Sequence, residues 1–75
     1  MPGAFVVINT ELGGEQILLD QLRQLPAVKE AYIVYGVYDL VVRLEGNDLV
    51  EIKDDISDQI RKLDNVKSTL TMIVA

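Results

Sequence analysis

Apolar positions in this chain fall into six blocks, and their spacing changes from block to block. Ala4 to Asn9 is a continuous apolar, β-branched run, which predicts a buried strand. Gly13-Gly14 breaks it, and Glu15 to Leu25 follows with Leu18, Leu22 and Leu25 at helical spacing. Pro26 helps to stop that helix. Ala31 to Tyr35 and Leu40 to Leu44 are β-prone runs with Gly36 between them. Glycine takes φ > 0 at little cost, so this stretch predicts a tight β-hairpin. Asn47-Asp48 then offers an N-cap, with Glu51 three residues after Asp48 in the manner of a capping box. Leu49, Ile52, Ile56, Ile60 and Leu63 step by 3, 4, 4 and 3, an amphipathic helical stripe. Roughly Val66 to Val74 forms the last strand. The order is β-α-β-β-α-β.

An internal echo supports this order. Leu22-Arg23-Gln24-Leu25-Pro26-Ala27-Val28-Lys29 matches Ile60-Arg61-Lys62-Leu63-Asp64-Asn65-Val66-Lys67 at an offset of 38 residues. The shared pattern is apolar-Arg-x-Leu-x-x-Val-Lys, read as a helix end, a two-residue turn and a strand start. Each half of the chain therefore holds the same junction.

Right-handed crossovers put both helices on one face of a four-stranded antiparallel sheet, the α+β ferredoxin-like arrangement. The opposite face of such a sheet is expected to be polar. Here it is not. Strand one is apolar in both alternating sets, Ala4/Val6/Ile8 and Phe5/Val7. Strand two sets Ala31/Ile33/Tyr35 against Tyr32/Val34, and strand three sets Leu40/Val42/Leu44 against Val41 and Arg43. An apolar open face marks an interface, and at about 25 cal/mol per Å² its burial adds stability that a monomer lacks. Sheet-on-sheet dimerisation, in the manner of a dimeric α/β barrel, is the expectation.

Composition strengthens that expectation. The 75 residues make one domain, residues 1–75. A chain this short buries only about 60% of the surface its unfolded form exposes, and small domains usually need a staple. With no cysteine and no histidine, disulfides, thiolate metal sites and the commonest metal ligand are all missing. No metal and no cofactor is expected, and self-association is the staple left. Net charge is −5, from 12 acidic and 7 basic residues. The cations Arg23, Lys29, Arg43, Lys53, Arg61, Lys62 and Lys67 are scattered along the chain, so no direct nucleic-acid binding is expected. No apolar run approaches the roughly 18 to 20 residues that cross a bilayer. The N-terminus lacks a signal-peptide layout. A cytoplasmic protein without membrane contact is the expectation.

Candidate chemistry concentrates at the hairpin corner, where Tyr35, Gly36, Val37, Tyr38 and Asp39 lie together. Backbone N–H groups near Gly36 and Val37 are expected to leave the strand ladder, beside the Asp39 carboxylate. The tyrosines supply hydroxyls and an apolar wall. A free α-amino acid needs this pairing: donors for its carboxylate and an acceptor for its ammonium. In the plainer reading, Asp39 caps the turn and the tyrosines pack against a neighbour. Thr69 and Thr71 share one face of strand four, as pocket hydroxyls or simply as good strand formers. Asp54, Asp55 and Asp58 read as a solvated helix face, with Asp58 and Lys62 spaced i,i+4. Gly13-Gly14 opens a helix N-terminus, which attracts anions, but no P-loop or GxGxxG pattern accompanies it. Without His, Cys or Trp, and with no serine in a nucleophile elbow, an enzyme is not expected.

With these elements assembled, the chain resembles the C-terminal effector domain of Lrp/AsnC transcription regulators, the RAM domain (regulation of amino-acid metabolism). The residues that carry the resemblance are Leu22 to Val28 running into Val28-Lys29-Glu30-Ala31-Tyr32, then Gly36-x-Tyr38-Asp39-Leu40-Val41, then Val66-Lys67-Ser68-Thr69. It extends from about Ala4 to Val74. The resemblance implies dimers that assemble further, commonly into octamer-like rings, with amino-acid effectors bound where dimers meet. It makes Gly36, Tyr38 and Asp39 pocket residues, with Tyr35 and Val37 adjacent, and Thr69 and Thr71 contributed by a neighbouring subunit. Lrp/AsnC regulators carry an N-terminal helix-turn-helix domain, whereas here Met1 directly precedes the sheet domain. The chain therefore resembles the stand-alone RAM proteins, which implies sensing of an amino acid or co-assembly with DNA-binding relatives. Two alternatives stand beside this. One is a small cofactor-free monooxygenase on the same dimeric sheet, whose sites usually want Trp, His or Asn where this chain offers only Asn9, Asn47 and Asn65. The other is a purely structural assembly partner.

Overall fold

The computed structural model describes residues 2–74. Strand β1 (Gly3–Thr10) leads to helix α1 (Glu15–Arg23), then β2 (Val28–Ile33) and β3 (Leu40–Glu45). A π-helical segment, Glu51–Ile56, runs into α2 (Ser57–Arg61), and β4 (Val66–Ile73) completes the sheet. The strands lie antiparallel in the order β2-β3-β1-β4. This is the ferredoxin-like α+β topology expected from the pattern.

Strand alternation builds the core. Ala4, Val6 and Ile8 of β1 stand opposite Leu44, Val42 and Leu40 of β3, and all six are buried. Leu18, Leu19 and Leu22 of α1 cover one part of this face. Ile52, Ile56 and Ile60 from the second helical stretch cover the rest. Fully burying each such aliphatic side chain contributes about 1.5–3 kcal/mol, so this one cluster holds the monomer together.

The echo between the halves survives in three dimensions. Arg23 and Arg61 end their helices, and Val28 and Val66 start their strands, each pair separated by the same 38 positions. The backbone repeats too: Leu25 N–H donates to Leu22 O at 3.1 Å, and Leu63 N–H to Ile60 O at 3.1 Å. Two details differ from expectation. Helix α1 stops at Arg23 rather than Leu25, and each turn spans four residues (24–27 and 62–65) instead of two. In both turns the closing bond is of the tighter i→i−3 type, which draws the last turn out of the α-helix.

The second helix departs further. Its cap is close to the expected box: Glu51 N–H donates to Asp48 Oδ1 at 2.8 Å, and the Glu51 carboxylate accepts from Asn47 Nδ2 at 3.1 Å. A uniform α-helical stripe was expected, yet Glu51–Ile56 is π-helical and Leu49 is 49% exposed. The cause is visible at Ser57. Its N–H and its hydroxyl both donate to the carbonyl of Ile52, the hydroxyl at 2.8 Å, across a spacing of five residues. Such a bond widens the turn while leaving Ile52, Ile56 and Ile60 inward.

Gly14 ties the two halves. A Cβ there would lie 2.7 Å from the Cβ of Asn65, whose own carbonyl accepts from Glu11 N–H at 2.8 Å. No side chain fits at that crossing.

Among the described residues, no helix covers the other face of the sheet. Val7 pairs with Val41 on one side and Leu70 on the other, and Phe5 pairs with Met72. Phe5, Tyr32, Leu70 and Met72 are 40 to 52% exposed. No helix among the described residues is long and apolar enough to cross a membrane.

Candidate functional site

The polar corner forms because β2 releases its chain early. Strand β2 ends at Ile33 and β3 begins at Leu40, so residues 34–39 make a six-residue connection in place of the tight turn expected. Val34 N–H donates to Asp39 O at 2.9 Å and closes its mouth. Asp39 N–H turns away and donates to Ile8 O of β1, also at 2.9 Å. That third-strand bond holds the corner open. Gly36 sits at φ 156°, and a Cβ there would meet nothing within 4 Å, so backbone conformation and not space favours glycine.

Tyr35 and Val37 project almost fully into solvent, while Tyr38 and Asp39 are half-buried. Among the described residues, the N–H groups of Tyr35, Gly36, Val37 and Tyr38 have no hydrogen-bond partner. Asp39 is already partly engaged. Its Oδ2 accepts from Thr10 N–H at 2.9 Å and from Thr10 Oγ1 at 3.3 Å, finishing β1 where its pairing with β4 shifts register. Oδ1 has no partner among the described residues. Asp39 also lines a cavity of about 350 Å³ with Glu15, Gln16, Ile33, Val34 and Tyr35. The corner thus offers unpaired donors and one carboxylate oxygen within a single loop.

Thr69 and Thr71 lie elsewhere. They pair with Ile8 and Val6 on the helix-covered side of β4, the edge strand opposite β2. There they line a second cavity, about 330 Å³, with Lys53, Ser57, Arg61 and Ile73. In one chain these threonines and the corner line different cavities, although Asp39 and Thr69 both reach Ile8 of β1, from its two sides. Lys53, Ser57 and Arg61 were not anticipated, although their four-residue spacing is plain in the sequence.

A charged cluster on the open face was also missed. Tyr32 Oη donates to Glu30 Oε2 at 2.7 Å, Arg43 Nε donates to Glu30 Oε1, and Arg43 Nη1 donates to Glu45 Oε2 at 2.7 Å. The Tyr32 hydroxyl and then Arg43 hold the Glu30 carboxyl below its ordinary range, and the bond from Arg43 does the same for Glu45. The bond to Glu30 pushes the Tyr32 phenol up. Glu30 and Arg43 are cross-strand neighbours, a pairing that only the register reveals.

A four-stranded antiparallel sheet with both helices on one face, and a polar corner at its edge, places the chain among small ferredoxin-like α+β domains. The chain belongs to the Lrp/AsnC ligand binding domain family, whose model matches residues 3–75. It is 31% identical over 71 residues to an uncharacterised HTH-type transcriptional regulator of Pyrococcus abyssi, covering 95% of this chain and 45% of that regulator. The chain thus spans about half the length of the curated regulators it matches. The crystal structure of FFRP-DM1 superposes with a TM-score of 0.94 at 40% identity, covering all of both chains. The L-Met complex of a Neisseria meningitidis transcriptional regulator matches 99% of this chain and 49% of that one, with a TM-score of 0.84. At 14% identity that likeness concerns the fold alone.

Proposed function

We propose that this chain is a non-catalytic module that binds an amino-acid effector and oligomerises, and so modulates transcription or amino-acid metabolism indirectly. The observation that carries this reading is the corner, where the unpaired N–H groups of Tyr35 to Tyr38 stand beside Asp39. Those groups complement the carboxylate and ammonium of a free amino acid. The family to which the chain belongs is a ligand-binding one, and its Neisseria meningitidis fold relative was crystallised with L-Met. In this reading Tyr35, Gly36, Val37, Tyr38 and Asp39 of one copy form half of the pocket. Thr69 and Thr71 of another copy form the other half, a reading supported by the separate cavities that the two groups line within one chain. Dimers form through the open sheet face and assemble further, by themselves or with DNA-binding relatives. The ligand then acts by linkage, shifting assembly by its differential affinity for the assembly states.

A thermal-shift screen of the twenty amino acids tests this, because a ligand that prefers the folded state raises apparent stability with concentration. A saturable shift from one or a few amino acids is expected. No shift at millimolar concentration contradicts the reading. A second reading, a structural assembly partner that binds nothing small, is favoured by the Asp39–Thr10 bonds. Asp39→Asn separates the two, because an amide oxygen still accepts from Thr10 while the charge is gone. Loss of binding with intact assembly supports the effector module, and loss of assembly without any ligand supports the partner.

A further inference from the structure

Four cavities among the described residues differ sharply in charge. Glu15 and Asp39 line the corner cavity. Glu45, Glu51 and Asp55, with one cation, Lys29, line the cavity between the start of β2 and the π-helical segment. A third, beside β1 and β3, pairs Arg43 with Glu45. The cavity between α2 and β4 is the exception of the four. It is lined by Lys53, Arg61, Ser57, Thr69, Thr71 and Ile73, with no carboxylate, in a chain of net charge −5.

Its cations are available. Among the described residues Lys53 forms no ion pair. Arg61 meets only Asp58, at 3.9 Å, and Asp58 lies closer to Lys62, at 2.9 Å. The Ser57 hydrogen is committed to Ile52 O at 2.8 Å, which leaves Lys53, Arg61 and the two threonine hydroxyls as donors. Lysine and arginine side chains donate and never accept, so this cavity recognises anionic oxygens.

We infer that the α2–β4 cavity is an anion-binding half-site that takes a carboxylate of the effector, which makes the preferred effector an acidic amino acid. This rests on the reading that the corner of one copy and Thr69 and Thr71 of another share one ligand. The α-ammonium then meets Asp39, and the side-chain carboxylate meets Lys53 and Arg61.

Calorimetric titration of the full chain with L-glutamate, L-glutamine, L-aspartate, L-asparagine, glutarate and inorganic phosphate tests the assignment. At least one acid is expected to bind about tenfold tighter than its amide, the size of a charge-assisted contact. Lys53→Met and Arg61→Met each bring that acid down to the amide's affinity. Lys62→Met removes the same charge outside the cavity and keeps the preference. Both cavity cations are exposed, so neither substitution disturbs the core. Amides that bind as tightly as acids overturn the inference while leaving the amino-acid reading intact. A preference that persists in both Lys53→Met and Arg61→Met overturns it as well. Phosphate that binds more tightly than glutarate, and loses that binding in Lys53→Met, reassigns the site to phosphate and overturns the carboxylate. If no amino acid binds at all, the underlying reading fails and takes this inference with it.

Discussion

The two faces of the sheet use the same strands and nearly the same residue types, yet they end in different states. On the helix side Ala4, Val6, Ile8, Leu40, Val42 and Leu44 are buried, because the chain supplies its own cover in α1 and the second helix. On the other side Phe5, Tyr32, Leu70 and Met72 stay 40 to 52% exposed, although their neighbours across the strands are apolar except for Arg43 beside Phe5. Strand alternation decides which residues share a face, and connectivity decides which face is finished within one copy. An unfinished apolar face on a domain this small supports the proposal that a second copy covers it.

The contrast is sharpest in a pair of adjacent residues. Leu40→Ala opens a cavity on the finished face and is expected to destabilise the fold by about 2–5 kcal/mol, read by chemical denaturation. Val41→Lys, one residue along and on the open face, is expected to leave folding largely intact while weakening the dimer. Its solution mass should fall toward the monomer. If Leu40→Ala and Val41→Lys affect folding and assembly alike, the two faces are not distinct in role. Ser57→Ala probes how the second helix closes the finished face. Removing its bond to Ile52 O is expected to lose about 0.5–1.5 kcal/mol and to shift the segment toward regular α-helix, visible in amide chemical shifts.

The charged border of the open face gives the smallest effect. Glu30 and Glu45 have folded-state values held below the ordinary 4.5, so their contribution is complete above that pH. It fades as pH falls below 4.5 through the depressed values, and Arg43→Met should remove the part carried by Glu45 and reduce that of Glu30, which keeps its bond from Tyr32. Because all three side chains are 32 to 44% exposed and so screened by solvent, the loss in denaturation midpoint is expected to be slight, and no change is expected as pH moves from neutral down to 4.5. A large midpoint shift on acidification of the monomer would contradict the picture of an exposed border.

Much of this architecture was legible in the chain. Apolar, β-prone runs located all four strands, and the Arg23/Arg61 and Val28/Val66 echo located both helix-to-strand junctions. What escaped depended on particular hydrogen bonds and on pairings between distant residues. The wider corner follows from Asp39 N–H reaching Ile8 of β1, which no local turn pattern encodes. The π-helical segment follows from the Ser57 hydroxyl, whereas steps of three and four in the Ile stripe fit either helix. The corner residues were visible as a cluster, but the engagement of Asp39 by Thr10 was not. Nor was the cation-lined cavity, because Lys53 and Arg61 meet Thr69 and Thr71 only after β4 returns along β1.

The central claim is that the open face is completed by a second copy. Sedimentation velocity of the unmodified chain beside Val41→Lys, at micromolar concentration, tests it most directly. The account predicts a dimer or a multiple of dimers for the unmodified chain and a marked shift toward monomer for the variant. A monomer in both, or an unchanged assembly in the variant, contradicts it.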